Sequence, residues 1–85
     1  MGVYRLNCLI LMLHIGKLIK QKLEEQHKTV VWLAQRLSYS RANVYKIFDK
    51  YSIDTEVLAR ISQILDFDFF NLYSEEMRKN KIVKE

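Results

Sequence analysis

The sequence predicts an all-α domain, a compact bundle of five helices. Three observations carry that expectation. The 85 residues contain no proline and only two glycines, which suits helices with short connections and argues against a β-rich fold. Apolar residues recur at helical spacing in successive stretches from Ile15 to Met77. Thr29, Ser40, Asp54 and Asp68 each stand just ahead of such a stretch, where a side-chain oxygen can take up a free N–H of a first turn. With 49% hydrophobic residues, a chain of this length can bury one modest core and form one domain.

Residues 1–13, MGVYRLNCLILML, are an apolar extension set apart from the 14–77 domain. Its run from Leu9 to Leu13 is far shorter than the roughly 20 apolar residues a bilayer span needs, and it lacks the small-residue cleavage site of a signal peptide. Three readings stay open. The stretch extends the first helix, forms an arm or dimer contact with a second copy, or is a translated leader ahead of Met12. Residues 14–27 read as the first helix, with Ile15, Leu18, Ile19 and Leu23 as its stripe and Lys17, Lys20 and Lys22 off it. Gly16 is tolerable because it lies where the helix begins. His14 and His27 have no acid or cysteine at ligand spacing, so they read as surface or cap histidines.

The chain turns on residues 29–50. Val30, Leu33, Ala34 and Leu37 give one apolar face, and the small Ala34 lets another helix cross closely. Ser38-Tyr39-Ser40 breaks the pattern. A second short helix then runs from Arg41 to about Asp49. Val44, Ile47 and Phe48 form its apolar side, while Arg41, Ala42, Tyr45 and Lys46 form the other, with Asn43 at the edge. Trp32 leans away from the Val30–Leu37 face, either as core against a neighbouring helix or as a contact to DNA or a partner. After a connector at 51–53, Asp54 caps a helix with Val57, Leu58, Ile61, Ile64 and Leu65 as its stripe, expected to complete the core under the preceding short helix. Asp68 caps the last, with Phe69, Phe70, Leu72, Tyr73 and Met77 serving as core, as a dimer surface, or both. The tail 78–85 is basic and expected to fray.

Charge is uneven along the chain. The net charge is +4, yet residues 14–50 carry eight bases against three acids and residues 51–77 carry Arg60 against six acids. A positive half beside an acidic half suits a protein that meets an anionic partner on one side. The one cysteine, Cys8, allows no intrachain disulfide and leaves no cluster for zinc. Neither a catalytic constellation nor a glycine-rich phosphate loop is present, so no enzyme, cofactor or metal is expected.

Two short helices joined by a tight turn form a helix-turn-helix unit, whose second helix enters the major groove. Residues 30–49 resemble that unit in the phage repressor and Cro type, the XRE family. The likeness rests on Leu33-Ala34, Leu37, Ser40-Arg41, Val44 and Ile47-Phe48, and extends from about Ile15 to Tyr73. It implies a five-helix lambda-repressor-like fold. It further implies a small bacterial transcription regulator, a repressor, cytoplasmic and nucleoid-associated, that binds double-stranded DNA as a homodimer. In such a protein Arg41, Ala42, Tyr45 and Lys46 would face base edges. Thr29, Ser40, Asn43, Lys50, Lys17 and Lys28 would hold phosphates. The chain departs from the family pattern at Val30, where glutamine is common, at Ser38 and Lys50, where glycine is common, and at Asp49, where asparagine is common. Ser38 is therefore expected to take a strained left-handed conformation. An alternative use of the same fold is as a protein-interaction module, an antitoxin or an assembly adaptor.

Overall fold

The computed structural model describes residues 13–79, and every regular element in them is helical. The apolar extension, apart from Leu13, lies outside the described residues, as does the tail beyond Lys79. The five helices are α1 (Ile15–Glu25), α2 (Val30–Leu37), α3 (Arg41–Phe48), α4 (Thr55–Leu65) and α5 (Phe69–Lys79).

Each helix starts where a side chain accepts an otherwise free N–H. Thr29 Oγ1 accepts from the Trp32 amide at 3.0 Å, and Ser40 Oγ from the Asn43 amide at 3.2 Å. Asp54 accepts from Glu56 and Val57, and Asp68 from Phe70 and Asn71. His14 caps α1 through Nδ1, which accepts from the Lys17 amide at 3.1 Å. The helix therefore begins one residue later than expected. The ends of α1, α2 and α4 share one device. His27, Ser38 and Asp66 all adopt left-handed backbone, with φ near +58, +60 and +53°, and none of them is glycine. After each, the chain folds back onto a carbonyl of the last turn: Lys28 N–H to Leu23, Tyr39 N–H to Ala34 and Phe67 N–H to Ser62.

Thirteen hydrophobic residues close one core: Ile15, Ile19 and Leu23 of α1, Leu33, Ala34 and Leu37 of α2, Val44, Ile47 and Phe48 of α3, Leu58, Ile61 and Leu65 of α4, and Phe69 of α5. Burying one such large aliphatic or aromatic side chain contributes about 1.5–3 kcal/mol. α3 is backed chiefly by α1 and α2, whereas α4 packs mainly against α2 and α5. Leu58, Ile61 and Leu65 of α4 join the same core as Val44, Ile47 and Phe48 of α3, as expected. Gly16 brings α1 close to the end of α3. It is buried, and a Cβ there would stand 2.5 Å from the Phe48 carbonyl oxygen and closer still to that of Ile47. Its role is close approach of two helices, which the sequence reading missed.

α5 runs through Arg78 and Lys79, past the boundary expected at 77. Two cations in the last turn favour that extension, since they face the negative end of the helix, and Lys79 stands 3.9 Å from Glu76. Of its aromatic set, Phe69 is fully buried, Leu72 and Tyr73 are half-buried, and Phe70 and Met77 are exposed. Burial raises the Tyr73 phenol above its ordinary value of 10.0. Among the described residues no helix is long and apolar enough to cross a membrane.

Candidate nucleic-acid interface

α3 is locked on one side and bare on the other. Val44, Ile47 and Phe48 are buried, so the rotation of the helix about its axis is fixed. Arg41, Ala42, Asn43, Tyr45 and Lys46 are all exposed. Tyr45 is 55% exposed and its ring meets the Phe48 ring edge-on, with centroids 6.1 Å apart. All four residues expected to face bases therefore lie on exposed surface of one element.

The residues expected to hold phosphates are spread more widely. Thr29 and Ser40 sit at the starts of α2 and α3, exposed. Their oxygens already accept a backbone N–H, and each hydroxyl still has its own hydrogen to donate to an anion. Lys17 lies on α1, Lys28 just before α2 and Lys50 just after α3, all exposed. Asn43, Lys46 and Lys50 border one groove of about 370 Å³, between α3 and the start of α4, whose other lining residues are Tyr39, Ile47, Ile53, Asp54 and Val57. The sequence pointed to no such cavity, because its walls come from segments separated by the 38–40 turn and the connector. Asp49, which precedes Lys50 in the chain, is also exposed.

Comparison with family models, with curated proteins and with solved structures finds no match.

The candidate interface therefore rests on its own geometry. Two further residues shape it. Arg60 of α4 donates to the Leu37 carbonyl at 3.0 Å, and its guanidinium lies 6.0 Å from the centre of the half-buried Tyr39 ring. It thereby fastens the 38–40 turn from outside, taking up a carbonyl that α2 leaves free at its end. Sequence reasoning had counted Arg60 only as one base in an acidic half. Of the two places expected for it, Trp32 takes the one against the core. It is half-buried against the core, and Lys28 and Arg36 flank it, their charged groups 4.9 and 5.0 Å from the ring centre. An aromatic ring at helical spacing from two bases holds both cations by their attraction to its face. A similar contact places Lys22 over Phe67, where it also pairs with Glu25 at 2.9 Å.

Among the described residues no three His, Cys, Asp or Glu side chains gather as a metal site.

Proposed function

We propose that this protein binds double-stranded DNA with sequence specificity, as a helix-turn-helix regulator of the phage repressor and Cro type. One observation carries the reading: the exposed row of Arg41, Ala42, Tyr45 and Lys46 on a helix whose opposite side is fixed in the core. In the major groove Arg41 would donate two hydrogen bonds to a guanine edge, and Ala42 would touch a thymine methyl. The hydroxyls of Thr29 and Ser40, with Asn43, Lys50, Lys17 and Lys28, would hold phosphates and set the register. One such helix reads few base pairs, so two copies on a two-fold site about one helical turn apart are the working form, repressing by occupying an operator. The experiment is selection of bound sequences from a random duplex pool. A consensus with two-fold symmetry supports the reading, and recovery of an unenriched pool rejects it.

A second reading, a protein-interaction module on the same fold, is favoured by two observations. Val31 is an exposed apolar side chain on α2, and Asp49 would be repelled by phosphate. Light scattering beside a gel-shift assay separates the two: a stable hetero-complex with no DNA shift favours the module.

A further inference from the structure

The groove beside α3 has a composition that DNA contact does not explain. Its walls are the apolar Ile47, Ile53 and Val57 and the Tyr39 ring, while Asn43, Lys46 and Lys50 form its polar edge. Neither ammonium is paired with a carboxylate among the described residues. Asp54, the acid in the lining, is turned to the start of α4, where it accepts the Glu56 and Val57 amides at 3.1 and 3.4 Å. At about 370 Å³ the space falls in the range of small-molecule clefts, which are mostly apolar with a few convergent polar groups.

We infer that this groove binds a small aryl monocarboxylate. The ring lies on Ile47, Ile53 and Val57 beside Tyr39, and the carboxylate pairs with Lys46 and Lys50. Inorganic phosphate has the charge but nothing to cover the apolar walls. A neutral arene covers the walls but leaves two ammonium groups without an anion. Two compact, rotatable ammonium donors suit a single carboxylate whose position is set by its ring. Because Lys46 and Lys50 are also proposed DNA contacts, the bound acid excludes DNA. That second step rests on the proposed function, whereas binding of the acid does not.

The test titrates the full chain with 2-naphthoate, with 2-naphthamide as the uncharged analogue and inorganic phosphate as the ringless anion. Expected are saturable one-to-one binding of 2-naphthoate, binding of the amide weaker by about tenfold, and no displacement by equal concentrations of phosphate. A Lys46→Gln/Lys50→Gln double variant, altered only at exposed positions, weakens 2-naphthoate by about tenfold or more. Val57→Asn weakens it too, with DNA affinity unchanged and its fold checked by circular dichroism. Absence of saturation, equal binding of acid and amide, or insensitivity to the lysine variant overturns the site. In the DNA arm, 2-naphthoate lowers the affinity of the wild-type chain for its selected duplex. Simultaneous binding of both overturns the exclusion. A chain that binds 2-naphthoate and no duplex upholds the groove and rejects the DNA reading.

Discussion

The amide of Gly16 donates to the carbonyl oxygen of Lys50 at 2.9 Å, and the neighbouring Ile15 amide reaches the Tyr51 carbonyl at 3.3 Å. The first turn of α1 is thus satisfied by the chain that leaves α3. The His14 ring, which caps the same turn, lies 4.1 Å from the Tyr51 ring. The start of one helix and the end of another share a single junction, and Lys50, a proposed phosphate contact, is part of it. Whatever moves α1 moves the exit of α3.

Gly16→Ala tests that junction. In an exposed helix interior the change would stabilise by roughly 1 kcal/mol. Here the added methyl meets backbone atoms of Ile47 and Phe48, which cannot rotate away. Overpacking of this kind costs about 1–3 kcal/mol or more. Set against that gain, the expected outcome is a net loss of stability of up to about 2 kcal/mol in urea denaturation. A variant as stable as the parent would show that the two helices separate freely.

Arg60→Ala removes the donor to the Leu37 carbonyl and the cation beside Tyr39. A hydrogen bond from a charged group is worth about 1.5–3 kcal/mol when buried, and partial exposure of this one lowers the expected loss to about 1 kcal/mol. Arg60→Lys keeps the charge but loses the fork, so it recovers only part of the loss. Amide hydrogen exchange at Ser38 and Tyr39, whose N–H groups donate to Gln35 and Ala34, should quicken in the alanine variant. Unchanged protection there would remove Arg60 from any role in holding the turn.

The contrast between Arg60 and Ser40 shows what the sequence disclosed. Ser40, Thr29, Asp54 and Asp68 cap their helices as expected, because a cap and the amide that donates to it lie two or three residues apart. The buried faces of α1 to α4 were legible for the same reason, since helical period is local, whereas α5 fully buries only Phe69 of its expected set. Arg60 binds a carbonyl 23 residues away and Gly16 meets the far end of α3, and no local pattern encodes either contact. The exposed row on α3 was legible as the complement of its apolar side. The groove next to it was not, because its walls meet only after the chain has folded. Nor did periodicity show that α1 would pack so closely on the buried side of α3.

Left-handed backbone at a residue with a Cβ costs about 1–2 kcal/mol, and glycine relieves it at an entropic cost of roughly 0.5–1 kcal/mol. Ser38 is exposed, with φ near +60°. Ser38→Gly should raise stability by about 0.5–1 kcal/mol, seen as a higher urea midpoint with an unchanged slope. A lower midpoint would mean that the serine side chain supports the turn.

Tyr73 sets an alkaline limit. Burial raises its phenol above the ordinary value of 10.0, so the folded chain keeps this proton where the unfolded chain has released it. The stabilisation is whole below about pH 10 and is lost as pH climbs through the raised folded value. Tyr73→Phe removes that loss. The stability difference between parent and variant should be constant below about pH 10 and drift in favour of phenylalanine above it, in melts followed by circular dichroism. A constant difference at every pH would show that the phenol is freely solvated.

DNA affinity divides into a term that reads sequence and a term that does not, and Arg41 and Lys50 should fall on opposite sides. Arg41→Ala is expected to cost about 1–3 kcal/mol on the selected duplex and to relax preference at one base pair per half-site. Lys50→Ala should weaken all duplexes alike and reduce the slope of log affinity against log salt by about 0.9 per copy bound. Both side chains are exposed, so neither substitution disturbs the core and both variants remain folded. Fluorescence anisotropy across a salt series separates the two effects. If Arg41→Ala lowers affinity equally for every sequence, the α3 row touches only the backbone, and specificity must come from another surface or from DNA shape.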